Sequence, residues 1–372
     1  MKDLLSPVLR PTCHKSLSVL HTNKPATITK VPTTLHLDAT TGIPKAASIL
    51  REGGTVAFAT ETVYGLGANA LSPEAIAKIF AAKQRPSWDP LIVHLASAAD
   101  LPTITTIPAN LASRISHLAT AFWPGPLTLL LPRNNSIPDA VTAGRPLVGV
   151  RIPSHPAAQA LLQAAGIPIA APSANTFGHT SPTTAQHVLD DLNGRIDAVL
   201  DAGATTVGLE STVLDPTQTP MVLYRPGAIT PEQLTAATGI PVQVHIPTPT
   251  PETPESLPSP GVGIRHYAPR ARLILVEIPE TGDLTRTLLP QNEIEKTSSV
   301  GIMLPNGWAA LPGSSIYPWG SWEDKNELAR TLFAGLRTLD DRGVDVILCP
   351  LPPPGGLGDA LRDRLQKAAR PV

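Results

Sequence analysis

Residues 55–94, TVAFATETVYGLGANALSPEAIAKIFAAKQRPSWDPLIVH, set the terms on which this chain can fold. Val56, Ala57 and Phe58 follow a Gly53-Gly54 turn as a short apolar run, residues 91–95 form another, and runs of that length read as buried strands. A helix fits between them. Ser72 offers an N-cap, Pro73 the first helical position and Glu74 an acid in the first turn, while Ala75, Ile76, Ile79 and Phe80 give an apolar face that ends at Lys83. Pro86 keeps the helix from continuing, so Lys83 and Arg85 project from a corner where two cations can hold a polyphosphate. The same residues also suit a solvated helix end facing the macrodipole. The polar, glycine-rich run 60–67 tips the balance, because such a run leaving a buried strand is where a backbone approaches a ligand. Residues 65–70, GLGANA, fit a loose dinucleotide fingerprint, but the run is not expected to join a strand directly to a helix N-terminus, so that reading is set aside.

Composition narrows the classes of function. With 42% hydrophobic and 16% charged residues over 372 positions, the chain can bury the cores of two domains. A net charge of −1 supplies no basic footprint for tight nucleic-acid binding and favours a small-molecule site. Cys13 and Cys349 form neither a disulfide framework nor a zinc site and suit a reducing cytosol, so a cytoplasmic location is expected. The histidines show no HExxH-type spacing, no metal site is expected from the protein's own ligands, and no apolar run approaches the roughly 18 residues of a membrane span. Residues 1–37 are polar and hold Asp3 as their one acid, which fits a transit peptide, a disordered extension or a start codon set too early; without a clear Arg-rich amphipathic helix, the last two are preferred.

Residues 44–52 read as a first helix closed by Gly53. Beyond His94, residues 110–122 carry Leu111, Ile115, Leu118 and Phe122 at helical spacing, and Trp123-Pro124-Gly125-Pro126 stops them before a strand at 127–131. Residues 147–152 read as a strand in which Arg151 must point at solvent, at a partner or into a cleft. A helix at 157–165 and a strand at 168–171 lead into Pro172-Ser173-Ala174-Asn175, whose short side chains can hydrogen-bond a nucleotide but are also common turn formers. A helix at 183–192, strands at 197–201, 209–214 and 221–224, and a capping-box helix from Thr230 complete this part. Strict βαβ repetition is missing, which argues for a twisted mixed sheet in an α/β domain. Proline makes up 42 residues of the chain, and residues 246–263, IPTPTPETPESLPSPGVG, concentrate it in an extended, semi-rigid boundary. Strand-like runs at 273–278, 300–304 and 344–348 and helix-like runs at 322–339 and 357–369 then describe a smaller α/β layer. Gly355, Gly356 and Gly358 fit an anion site at the last helix N-terminus, or ordinary turn chemistry, the simpler account.

ATETVYGLGANA, followed by AKQRP and PLIVH, resembles the signature of the Sua5/YrdC family of threonylcarbamoyl-AMP synthases. The similarity continues through WPGPLTLLLP, VGVRIPSHP, IPIAAPSAN, SPTTAQHVLDDL, GLESTVLD and YRPGAIT, and covers residues 40–372. It implies a YrdC-like catalytic domain over 38–245 with a wide concave surface, a linker over 246–270 that lies across the active site, and a smaller α/β C-terminal domain over 271–372. The resemblance further implies that Thr62, His94, Arg151, Ala171 through its backbone, and Ser211 bind L-threonine, with Arg151 pairing the carboxylate. Lys83, Arg85, Asp89, Leu147 through its backbone, Ser173, Asn175, Ser181, Arg225 and Tyr267 fall on the ATP side, with Lys83 and Arg85 as the catalytic cations. Asp89 departs from the Asn or His of many relatives, and would repel a triphosphate unless Mg²⁺ or Lys83 intervened.

The implied reaction takes L-threonine, bicarbonate and ATP to threonylcarbamoyl-adenylate and pyrophosphate, with Mg²⁺ as helper. Its product supplies the tRNA threonylcarbamoyl transferase machinery that modifies the adenosine next to the anticodon in tRNAs reading codons that begin with A. No Walker A loop, GxSxG elbow or Cys-His pairing points to a covalent intermediate. Two other classes share the resemblance: an RNA-binding YrdC-like module with weak tRNA contact and no adenylation, and a carbamoyl-transfer enzyme of the hydrogenase-maturation kind, for whose zinc fingers this chain has too few cysteines.

Overall fold

Short apolar runs set in pairs around amphipathic helices give the chain its layers. A computed structural model describes residues 33–246, 257, 259, 266–277 and 299–370. Its larger sheet begins with β1 (Leu35–Asp38), β2 (Val56–Ala59), β3 (Tyr64–Asn69) and β4 (Ile92–His94), and continues with β5 (Leu127–Pro132), β6 (Leu147–Arg151) and β7 (Ile169–Ala170). β8 (Ala198–Asp201), β9 (Thr212–Asp215), β10 (Met221–Arg225) and β11 (Val242–Val244) complete it. The strand order β1-β8-β2-β3-β7-β4-β6-β5-β9-β10-β11 mixes parallel and antiparallel pairs, as the sequence predicts.

Both faces are covered. Along β2, Val56 and Phe58 join a cluster with α1 (Ile43–Arg51) and α5 (Pro156–Ala165), while Ala57 and Ala59 join another with α2 (Pro73–Lys83) and α3 (Ala109–Phe122). That is the period-2 alternation of a strand buried on two sides. α2 forms where the sequence places it: Ser72 accepts the Ala75 N–H, Pro73 opens the helix, and Ile76 and Ile79 are fully buried. Its end is set by Gln84, whose left-handed backbone (φ 54°) turns the chain before Pro86 is reached.

The strand ends decide where chemistry can gather. In register, His94 of β4 lies beside Arg151 of β6, and Arg151 beside Thr128 of β5. β9 runs parallel to β5 with Thr212 opposite Leu127, which brings Ser211 to the same end of the sheet. Leu147 opens β6 opposite Pro132, four residues from Arg151 and so roughly 13 Å away at the usual strand rise.

The smaller layer is a parallel sheet of β12 (Arg272–Val276), β13 (Val300–Pro305), β14 (Ser315–Gly320) and β15 (Val346–Pro350), ordered β12-β15-β13-β14. Helices α8 (Lys325–Asp341) and α9 (Leu357–Ala368) pack on it through Leu332, Phe333, Leu336, Leu361 and Leu365. The same cluster takes in Val63, Leu209 and Tyr267, so the two layers share apolar contact. At the glycines before α9, Gly355 N–H donates to Asp359 Oδ1 at 2.9 Å, which fills the helix end with the chain's own carboxylate and fits the turn account.

Two expectations change. The run 60–67 does border a cavity, through Thr60, Thr62, Val63 and Gly65, but its second half is strand: Tyr64–Asn69 is β3, antiparallel to β2, and it leads almost directly into α2, a junction the sequence reading set aside. A Cβ on Gly67 would meet Phe58 Cε1 at 2.8 Å and Ile169 Cγ2 at 2.9 Å, so this glycine makes room between neighbours within the sheet. The N-terminal extension predicted to reach residue 37 overlaps β1, which pairs with β8; residues 1–32 and most of the proline-rich boundary lie outside the described residues.

Gly208 marks the closest approach of the layers. Its φ of 80° is one that glycine tolerates, and an added Cβ would sit 2.4 Å from Arg330 Cα and 2.5 Å from Ala329 O, both backbone atoms of α8. Gly208→Ala is therefore expected to lower the unfolding free energy by about 1–3 kcal/mol, measured by urea denaturation; an unchanged midpoint would show that the layers do not meet there.

Candidate active site

At the shared end of the larger sheet, one cavity collects residues from β3, β4, β6 and the turns before β9 and after β7. Its lining includes Thr62, Arg85, His94, Arg151, Ala171, Ser173, Glu210, Ser211, Arg225 and Tyr267. The open volume is about 50 Å³. Sites for drug-sized ligands hold about 300–1,000 Å³, so the cavity as it stands is smaller than a site of that kind.

Four buried cations converge here, and each is held by an acceptor of the protein. Lys83 Nζ, at the end of α2, donates to the carbonyls of Ser173 and Asn175, both at 2.6 Å. Burial, and then the neighbouring Arg85, pull its ammonium well below its ordinary pKa. Arg85 reaches Asp89 Oδ2 at 2.9 Å and donates to the carbonyls of Asp89 and Pro90. Burial lowers the Arg85 pKa against the pull of Asp89, and raises that of Asp89 against the pull of Arg85 and Lys83. Arg225, at the end of β10, donates to the Ser211 carbonyl at 2.9 Å and to Ser211 Oγ at 3.1 Å.

On the opposite wall Arg151 donates through Nε to Gly125 O and through Nη1 to Thr62 Oγ1, while Nη2 stands 2.8 Å from Glu61 Oε1. Glu61 is itself tied down by the Ser154 N–H. Burial pushes the Glu61 carboxyl up, but Arg151 and that N–H outweigh it, so the net shift is downward and the pair is ionic. His94 is buried beside Arg151; burial and then that positive charge lower its pKa to about 3, which keeps the imidazole uncharged. Its Nδ1 has no protein partner. A cation with a fork of N–H groups, a hydroxyl and a neutral imidazole can bind the carboxylate and amine of a small amino acid.

The cover comes from residues 266–268 and from the smaller layer. Ala268 N–H donates to Gly178 O at 2.9 Å, which lays the segment along the loop after Asn175. Tyr267 is 1% exposed, its ring centroid 4.2 Å from that of His266 and 5.8 Å from that of Phe333. Its hydroxyl lies near Arg225, with no hydrogen bond of good geometry among the described residues. Arg364 of α9 lies over the Tyr267 ring at 5.1 Å and donates through Nε to Glu210 Oε2 at 2.6 Å. Arg337 of α8 donates to Thr180 O and Asp191 Oδ2.

Of the residues expected from sequence, Thr62, Arg85, His94, Arg151, Ala171, Ser173, Ser211, Arg225 and Tyr267 line the cavity. Lys83, Asp89, Asn175 and Ser181 stand directly behind that lining, each buried. Leu147 is the exception, placed at the far end of β6 by the strand register. Asp89 is countered by Arg85, where the sequence offered Lys83 or Mg²⁺. Sequence reasoning missed Glu61, Glu210 and Arg364. The first two carry a readable signal, since an acid in each apolar neighbourhood, TETV and GLES, has to find a cation.

Comparison with known proteins follows the same outline. A family model described as "Telomere recombination", covering Sua5, YciO and YrdC proteins, matches residues 48–227. A second, described as "Threonylcarbamoyl-AMP synthase, C-terminal domain", matches residues 229–370 and so begins before the proline-rich stretch. The threonylcarbamoyl-AMP synthase of Pyrococcus abyssi is 41% identical over 87% of this chain and 93% of its own length. That of Bacillus subtilis is 42% identical over 88% and 92%. The crystal structure of P. abyssi Sua5 complexed with L-threonine superposes with a TM-score of 0.81 at 39% identity, covering 90% of this chain and 97% of that one.

The Arg151–Glu61 pair has a consequence for stability. Removing one member of a buried pair leaves a bare charge and costs about 3–5 kcal/mol. Arg151→Ala is expected to lose that much in chemical denaturation, and Arg151→Met with Glu61→Gln to regain most of it. Equal losses in the single and double variants would mean that the pair is not what holds this wall.

Proposed function

Because the chain belongs to the Sua5/YrdC family of threonylcarbamoyl-AMP synthases, we propose that it joins L-threonine, bicarbonate and ATP into threonylcarbamoyl-adenylate, releasing pyrophosphate. The supporting observation is the meeting in one cavity of an amino-acid wall, Arg151, Thr62, His94 and Ser211, with a phosphate wall of Arg85 and Arg225 backed by Lys83. Two steps follow from the substrates. The threonine amine adds to bicarbonate carbon with loss of water, giving a carbamate. A carbamate oxygen then attacks the α-phosphorus of ATP in line, the bond to the bridging oxygen breaks, and pyrophosphate leaves.

In this reading Arg151 and Thr62 hold the threonine carboxylate, and the Glu61 pair fixes the guanidinium so that its free N–H edge faces the ligand. The uncharged His94 offers its open Nδ1 to the amino-acid end without adding positive charge near the amine. Lys83, Arg85 and Arg225 take the charge that develops on the phosphates. Lys83 exchanges two carbonyl partners for phosphate oxygens, an acceptor that favours its charged form. Ser173, Asn175 and Ser181 complete the nucleotide wall, with Tyr267 as its cover.

Mg²⁺ fits as a companion of the triphosphate. No group of three or more His, Cys, Asp or Glu side chains among the described residues can hold a metal, whereas Asp89 Oδ1 is a buried carboxylate oxygen without a partner. Magnesium usually binds through substrate phosphates and one or two carboxylates, and when bound would neutralise phosphate charge. Handing the labile adenylate to a tRNA threonylcarbamoyl transferase, in a reducing cytoplasm that suits a free buried Cys349, completes the proposal. No described helix is long and apolar enough to cross a membrane.

The test is pyrophosphate release from ATP and bicarbonate with and without L-threonine, with L-serine as control. Threonine-dependent release is expected, and Lys83→Ala should slow it about 100-fold in a protein that still melts cooperatively. Folded protein that releases no pyrophosphate with either amino acid would sink the reading.

A further inference from the structure

The larger layer sets Lys83, Arg85, Arg151 and Arg225 against Glu61, Asp89 and Glu210 around one cavity. With cations and carboxylates so nearly matched, each acid that faces the phosphates has to be countered. Arg151 counters Glu61 at 2.8 Å and Arg85 counters Asp89 at 2.9 Å. Glu210 has no ion pair of that kind among the described residues of its own layer, where Arg225 acts on it only through space: Oε1 accepts a hydrogen bond from the Ser181 hydroxyl, and its paired cation comes from the other layer. Arg364 is completely buried on α9, and four of its five N–H groups are spent on acceptors of the protein. Nε reaches Glu210 Oε2 at 2.6 Å, Nη2 the carbonyls of Glu210 and Pro226, and Nη1 Asp363 Oδ2. Asp363 also pairs with Lys367 at 2.8 Å, so it is not left to cancel Arg364 alone.

We propose that Arg364 is a positioning residue for adenylation, neutralising Glu210 so that the triphosphate enters a cavity with no unpaired carboxylate. It is assigned no contact with substrate, because it is not among the residues that line the cavity and four of its five N–H groups are taken by Glu210, Pro226 and Asp363. Glu210 lines the cavity with Arg85, Arg225 and Tyr267, and its Oε1 takes the hydroxyl of Ser181, one of the residues placed on the nucleotide wall. Without Arg364 this carboxylate would keep the Ser181 hydroxyl and the more distant charge of Arg225 but lose its ion pair, where phosphate charge must gather. The smaller layer therefore supplies one charge to the site, besides backing the Tyr267 ring. This inference rests on the nucleotide reading above.

Charge compensation makes a prediction that mere support of the fold does not: the damage should grow with the charge of the nucleotide and disappear when the carboxylate is removed. ATP and AMP are titrated calorimetrically into the full chain, with thermal melts confirming the folded state. Arg364→Gln is expected to weaken ATP about tenfold or more and AMP by less than about threefold; adding Glu210→Gln should bring ATP back to within about threefold of wild type. Arg364→Lys keeps the charge and should bind ATP within about threefold of wild type, and it decides the matter if Arg364→Gln does not fold. Equal losses for ATP and AMP, a double variant no better than the single, or a tenfold loss of ATP in folded Arg364→Lys would overturn the inference. A wild-type chain that binds no ATP overturns the nucleotide reading and this inference with it. ATP binding by the wild type beside an unimpaired Arg364→Gln overturns this inference alone.

Discussion

A guanidinium or ammonium taken out of water needs an acceptor within hydrogen-bond reach, and this fold buries several of them around one cavity. Lys83 rests on two backbone carbonyls, Arg85 on Asp89, Arg151 on Glu61 and Thr62, Arg225 on Ser211 and Arg364 on Glu210. These contacts contribute little net stability compared with packed hydrocarbon of the same volume. What they provide is a set of cations already desolvated and aimed inward, whose resting partners differ in kind. Carbonyls and a serine hydroxyl can be exchanged for phosphate at modest cost, whereas carboxylates stay and fix the geometry.

The sheet makes this arrangement possible by register. His94, Arg151 and Thr128 stand side by side on three neighbouring strands, and parallel pairing of β5 with β9 delivers Ser211 and Glu210 beside them. A one-residue slip in β6 would turn Arg151 to the other face and leave Glu61 unpaired. The smaller layer closes the same end: Gly208 lets α8 approach, α9 presents Arg364, and Tyr267 lies between them over the cavity. About 50 Å³ of open space is left beneath them.

Much of this was legible in the sequence where a local rule and a tertiary need coincide. Ser72 and Pro73 begin α2 as its caps require, and Thr230 and Gln233 form the reciprocal capping box before α7 (Pro231–Thr238). Strands β1, β11 and β14 escaped notice for a shared reason: each is a sheet edge. Edge strands bury too little to carry an apolar run, and β14 even holds Pro318, a residue such strands tolerate. The glycines of β3 were read for backbone freedom when their use is to make space between Phe58, Ile169 and Ala171. Arg364 stands among other charges in DALRDRLQK, yet helical spacing puts it on the stripe of Leu357, Leu361 and Ala368, while Arg362 falls on the rim.

In the proposed function, substrate phosphate and carboxylate become the acceptors of cations that the protein otherwise holds on its own carbonyls and hydroxyls. The most direct measurement is a crystal structure with L-threonine and a non-hydrolysable ATP analogue. It is predicted to show Lys83 Nζ moved from the carbonyls of Ser173 and Asn175 onto phosphate, with Arg151 keeping Glu61 while its free edge takes the threonine carboxylate. Both ligands bound with Lys83 still on its two carbonyls, or a threonine carboxylate held away from Arg151, would contradict it.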